Sequence, residues 1–291
     1  MTDEDKKLLT EMVAKYEELQ PLINKAQKIL SKGYKNWPKA KPEHQLPKNM
    51  GKWELMFDAL NRASHISVDT TNKKVLLIGC DDPYLPDHYA AEANIVISYN
   101  RKTQWANFTK NKDNLIFTDN IQDTYFKAPY DLVIYWDILD HYFEDYVTQK
   151  YELSDMLDIN QRNFLEIGKQ LLRPEGKMFI RCHPWYSRHG GHLDNNIAYN
   201  HLLIEDEEYY HLQENQDLIT HRICDPVGYY KRLINSINPS NIESSIVKNR
   251  PESEIINALI TNIKPSWPVN ISDDDLLSTL SIEYIDFLLK F

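Results

Sequence analysis

Three short apolar runs, each closing on polar residues, constrain this chain more than any other feature. The first reads Lys74-Val-Leu-Leu-Ile-Gly79-Cys80-Asp81-Asp82, the second Tyr130-Asp131-Leu-Val-Ile-Tyr-Trp136-Asp137, and the third Lys177-Met-Phe-Ile-Arg181-Cys182. Continuous apolar runs of this length read as strands buried on both faces, the habit of a parallel sheet covered by helices. Strands are expected at 75–78, 95–98, 115–118, 133–135 and 178–182, with further ones at 219–224 and 242–247. Helical spacing falls between them at 87–93, 102–109, 153–172 and 228–237. Strands alternating with helices imply βαβ units, and right-handed crossovers then place helices on both faces of the sheet. In such sheets ligands gather at the carboxyl ends of the strands, which is where the polar residues stand.

The rest of the chain divides around this block. Residues 1–70 read as a helical extension and a basic arm, 71–250 as the α/β domain, and 251–291 as a C-terminal appendage. In the last stretch 273–280 has the pattern of a capped helix, and 282–288 alternates weakly, as a strand does. Eight lysines (25, 28, 32, 35, 39, 41, 48 and 52) face Glu43 alone between positions 25 and 52, with Tyr34, Trp37 and Trp53 interleaved. Charge and aromatic faces together suit a nucleic acid, while a solvated arm packing its aromatics on the domain, or a protein partner, suits the same composition. The formal net charge of −10 excludes a protein that coats nucleic acid with positive surface all round. Three cysteines, Cys80, Cys182 and Cys224, are odd in number and widely spaced, which points to free thiols in a reducing, cytoplasmic setting. No run approaches the roughly 18 apolar residues of a membrane span, and the first residues lack a secretory pattern.

In the order and spacing of Val75-Leu-Leu-Ile-Gly79-Cys80, Tyr130-Asp131-Leu-Val-Ile and Leu171-Leu-Arg-Pro-Glu-Gly-Lys-Met-Phe, the chain resembles the class I S-adenosylmethionine-dependent methyltransferases over residues 73–248. The resemblance implies a Rossmann-like methyltransferase sheet with helices on both faces, and S-adenosyl-L-methionine as cofactor. It places that cofactor over Gly79 and Asp81, against Tyr99 and Asn100 after the second strand, Asp119 after the third, and Trp136, whose ring would stack on it or on a planar acceptor, or else wall the core. A glycine after the first strand lets the backbone approach a ligand closely. The family's glycine-rich loop is replaced here by Gly79-Cys-Asp-Asp-Pro83-Tyr-Leu-Pro86. That departure supports a rival reading, a degenerate methyltransferase fold serving as a structural or partner subunit.

Methyl transfer asks a protein to align a nucleophile and remove its proton. Asp137 and Asp140 stand just past the fourth strand, where the family places acceptor-side or basic groups; a helix N-cap is the alternative for Asp137. The sequence is also similar, more weakly, to ribose 2′-O-methyltransferases, including viral cap enzymes, which use a Lys-Asp-Lys-Glu set. In that likeness Lys52 and Asp137 take the first two places, Arg181 falls where the central lysine belongs, and Glu205 or Glu207 supplies the glutamate. An arginine cannot act as a neutral base at pH 7. The densest polar stretch, Arg181 to His192, follows the fifth strand. His183, Arg188 and His192 are its acceptor-binding candidates, with Gly190-Gly191 supplying mobility or positive φ. His183, His189, His192 and His201 fall within 19 positions, but without the spacings of a zinc site, so no metal is expected. The function these features outline is methyl transfer to an acceptor that is a nucleic acid, RNA in particular, ahead of a small molecule.

Overall fold

The computed structural model describes residues 69–80, 84–100, 113–143, 153–193, 198–205, 208–209, 218–220, 222–251 and 253–291. Nine strands are found there: β1 Lys74–Ile78, β2 Ile95–Tyr99, β3 Leu115–Thr118, β4 Tyr130–Trp136, β5 His141–Phe143, β6 Leu172–Cys182, β7 Leu218–Thr220, β8 Asn241–Lys248 and β9 Ile282–Lys290. Six helices accompany them: α1 Tyr84–Ala90, α2 Ile121–Lys127, α3 Leu153–Leu171, α4 Pro226–Asn235, α5 Ser253–Ile263 and α6 Asp273–Leu280.

Seven strands form one sheet in the order β3-β2-β1-β4-β6-β9-β8. Neighbours from β3 through β6 run parallel, whereas β9 is antiparallel to both β6 and β8. This is the α/β, Rossmann-like sheet with helices on both faces that the motifs imply. β5 and β7 make a separate antiparallel pair.

The apolar runs form strands because the period of two divides each between two cores. Leu76, Ile78, Ile97, Val133, Tyr135 and Ile180 pack on one face with Leu165 of α3 and Tyr230, Leu233 and Ile234 of α4. Val75, Leu77, Val96, Leu132, Ile134 and Phe179 face the other way, against Leu85 and Tyr89 of α1. β6 begins irregularly. Tyr130 pairs with Leu172 and Leu132 with Lys177, so Arg173–Gly176 are looped out of the ladder, with Glu175 at φ +66°. α1 begins before the expected 87–93, because Pro86 is tolerated in a first turn, where its missing N–H has no partner to lose. α2 was not expected; the Asn120 side chain accepts from the Gln122 N–H at 3.1 Å and caps it.

The stretch after residue 250 contributes a strand to the sheet. β9 lies between β6 and β8, with Ile285, Phe287 and Leu289 in the core of α3 and α4. Its alternation is weak in the sequence because it is buried on both sides. Elsewhere in 251–291, α5 and α6 close a third core with Trp185, Leu193, Tyr199 and Leu202 of the segment after β6. Among the described residues no helix is long and apolar enough to cross a membrane. The expected extension at 1–70 lies outside them apart from its last two residues, as does the helix at 102–109.

Candidate active site

The parallel strands end side by side. The Gly79 N–H donates to the Tyr99 carbonyl at 3.0 Å, Asn100 N–H to Thr118 at 3.1 Å, and Asp137 N–H to Arg181 at 3.1 Å. These bonds tie the tails of β1, β2, β3, β4 and β6 along one edge. Gly79 has φ +89°, and a Cβ there would lie 2.7 Å from both the Trp136 carbonyl oxygen and Ile138 Cβ. Only glycine fits. Tyr99 and Asn100 are half-buried beside it, and Asp119 is exposed at the end of β3. An amide, a phenol and a carboxylate on adjacent tails form a donor and acceptor set that fits ribose hydroxyls and an exocyclic amine.

Trp136 does not join this set. It is 2% exposed and stacks on Phe179, with centroids 6.4 Å apart, in the core under α1. Its indole also carries the Arg181 guanidinium at 4.6 Å. Asp81, Lys52 and Glu207 lie outside the described residues.

The tails of β4 and β6 and the start of β9 are different in kind. Asp137 sits at φ +46°, a left-handed conformation uncommon outside glycine, and starts no helix. Burial pushes its carboxyl up to about 6, with His183 pulling down and Asp140 pushing further up. Asp140 is fully buried three residues on. His183 is 5% exposed, with Nε2 3.6 Å from Glu283 Oε1. Burial alone would hold this imidazole neutral, but the Glu283 and Asp137 carboxylates outweigh it and raise its pKa above the ordinary value. The Glu283 carboxyl is raised by burial, and His183 more than reverses this, so its pKa falls below the ordinary value. His192 lies edge-on to His183, centroids 5.1 Å apart, and its Nε2 is 3.8 Å from Asp140 Oδ2. Thus Asp137, His183 and His192, named from sequence for catalysis and acceptor binding, are brought together.

Arg181 is closed off from them. It is 1% exposed, and its Nε and Nη2 donate to Asp286 Oδ1 and Oδ2 at 2.7 and 2.6 Å. The Trp136 and Tyr284 rings take its faces at 4.6 and 4.7 Å. Its donors are occupied by the strand that neighbours it. Arg188 is half-buried in the following loop, where its carbonyl accepts from the Tyr199 N–H, and Glu205 is exposed.

The described stretches after β6, 183–193 and 198–201, are held by specific contacts. His201 Nε2–H donates to the Trp185 carbonyl at 2.6 Å, and burial pulls its pKa down to about 3, so it stays neutral. A Cβ on Gly190 would strike the Pro184 and Trp185 carbonyls, and one on Gly191 the His201 ring. Neither glycine has positive φ. They are there for close approach, and the expectation of mobility or positive φ is corrected accordingly. Among the described residues no group of three His, Cys, Asp or Glu is placed to hold a metal ion.

Sequence reasoning missed Glu283, Tyr284 and Asp286. The available signal was two acids inside an otherwise apolar strand pattern at 282–288.

No family model and no curated protein matches the chain. Solved structures similar to it include a SAM-dependent methyltransferase from Archaeoglobus fulgidus, 11% identical, covering 81% of this chain and 93% of that one at a TM-score of 0.46. A cyclopropane-fatty-acyl-phospholipid synthase-like protein from Lactobacillus casei is 11% identical over 81% and 90% of the two chains, at 0.48. The N-methyltransferase NodS from Bradyrhizobium japonicum is 11% identical over 84% and 98%, at 0.42. At these values the likenesses say nothing of substrate.

Proposed function

We propose that this protein binds S-adenosyl-L-methionine at the tails of β1, β2 and β3 and transfers its methyl group to a nucleophile held at the tails of β4 and β6 and the start of β9. The observation that carries this reading is a set of three buried polar atoms, one each from the tails of β4 and β6 and from the start of β9. Asp137 Oδ1, His183 Nε2 and Glu283 Oε2 have no hydrogen-bond partner among the described residues. Buried polar atoms are nearly always satisfied, so three together point to a ligand that supplies the missing partners. The cofactor, when bound, supplies an electrophilic methyl group on a good leaving group. The chain's own part is to seat the ligand against Gly79, offer Tyr99, Asn100 and Asp119 to its hydroxyls and amine, and take the acceptor's proton at Asp137 or His183.

RNA is the acceptor that the lysine- and aromatic-rich arm at 25–53 supports. Its binding should then weaken steeply between about 50 and 200 mM salt, and replacing Lys35, Lys39 and Lys41 by Glu should flatten that slope. A flat dependence in the wild type removes RNA. The proline-bearing loop after Gly79 supports the other reading, a partner subunit without catalysis.

Calorimetry with S-adenosylhomocysteine separates the two readings. Binding at micromolar or weaker affinity, abolished by Gly79→Arg, is expected. No heat with the wild type, or unchanged binding in the variant, removes the assignment.

A further inference from the structure

A proton taken up at the end of β6 has to leave again, and most of the groups there cannot carry it. Arg181 is locked to Asp286 and stays charged. His201 is committed to the Trp185 carbonyl, and burial holds His189 below its ordinary pKa. His183 is buried at 5% exposure, whereas the His192 side chain is 28% exposed. Their rings meet edge-to-face at 82°, with centroids 5.1 Å apart, near enough for one water to carry a proton between them.

Each imidazole faces a carboxylate from a different element. Glu283, on β9, stands 3.6 Å from His183, and Asp140, from the tail of β4, stands 3.8 Å from His192. His192 is held at φ +48°, a conformation that costs energy outside glycine and that collects at functional sites. Asp137 and Tyr284 also face His183, and Arg188 and His189 approach Glu283 from the loop.

We propose that His183 and His192 form a two-imidazole relay that moves a proton between the buried end of β6 and solvent, with Glu283 and Asp140 as positioning residues. An imidazole accepts a proton on one ring nitrogen while giving one up from the other, so the chain of two needs no rearrangement of the backbone. The relay's purpose rests on the methyl-transfer reading. One proton arrives from the acceptor at His183 as its new bond forms, and one leaves His192 for water, so charge balances.

The test needs neither acceptor nor cofactor, so its failure is distinct from a failure of the calorimetry above. In the full chain labelled with ¹⁵N, exchange of the His183 ring N–H with water is followed by NMR. The wild type should exchange it too fast for a resolved signal. His192→Asn keeps a residue that tolerates the left-handed backbone and removes the imidazole; exchange should slow by about tenfold or more, to the rate set by local opening. Asp140→Asn, which leaves the ring but not its orienting charge, should give an intermediate rate and serves as the second variant if His192→Asn does not fold. A slow exchange already present in the wild type, or equal rates in wild type and both variants, overturns the relay.

Discussion

Arg181 and His183 stand two residues apart, both buried, both facing an acid of β9, yet they end in opposite chemical states. Arg181 is in register with Asp286, and the ladder itself aligns the two donors with the two carboxylate oxygens. The last registered pair is Cys182 with Ile285. His183 and Glu283 lie just beyond it, 3.6 Å apart, each with a buried atom lacking a hydrogen bond among the described residues. Inside the ladder, register completes an ion pair and its chemistry is finished. Past its end no ladder register forces completion.

Breaking the closed pair should have the largest effect. Asp286→Ala leaves the Arg181 charge buried without compensation and should cost about 3–5 kcal/mol in urea unfolding. Replacing both partners, Arg181→Met with Asp286→Leu, should cost far less, because no charge is stranded. A loss below about 1 kcal/mol for the single change would mean that the pair is not closed.

The open side should respond in the other direction. Asp137 is raised from 3.8 to about 6 in the folded chain, so the folded state holds its proton more tightly than the unfolded state between those values. Wild-type stability therefore falls as pH rises across that window. Asp137→Asn, which also tolerates a left-handed backbone, removes this penalty and should stabilise the protein at pH 7 by up to about 3 kcal/mol. Near pH 4 the gap should have closed. A variant that is less stable than wild type at pH 7 would contradict the burial account of that carboxylate.

The smallest effect belongs to Glu283→Gln. The raised His183 contributes stability that is present below its ordinary 6.5 and lost as pH rises through the folded value. The lowered Glu283 contributes stability that is present above its ordinary 4.5 and lost as pH falls through the folded value. Their attraction is thus fullest between 4.5 and 6.5. Thermal melts near pH 5.5 should show a loss of about 1 kcal/mol that shrinks by about pH 8.5. A loss independent of pH would make the contact one of packing alone.

The same boundary explains what the sequence revealed. The strands of the parallel half are continuous apolar runs, and the polar residue after each is its neighbour in the chain, so Gly79, Asn100, Asp137 and His183 were legible as strand tails. Trp136 was also legible as a wall of the core: it shares parity with Leu132 and Ile134 and points into the same cluster. Arg181 could not be read as closed, because Asp286 comes 105 residues later and only the insertion of β9 between β6 and β8 brings them together. α2 is seven residues long and depends on one capping side chain, too little periodicity to stand out. The glycines at 190 and 191 looked like freedom; what they meet is two carbonyls and a histidine ring, which no local pattern announces.

The central claim is that the two halves of the strand edge hold different ligand parts, cofactor at β1, β2 and β3 and acceptor chemistry at β4, β6 and β9. Backbone ¹H–¹⁵N spectra of the full chain, recorded as S-adenosylhomocysteine is added, test it most directly. The account predicts saturable shifts concentrated at Gly79, Tyr99, Asn100 and Asp119, with Arg181 and Asp286 unmoved. Shifts centred on β8 or α5, or no shift at any residue at millimolar ligand, would contradict it.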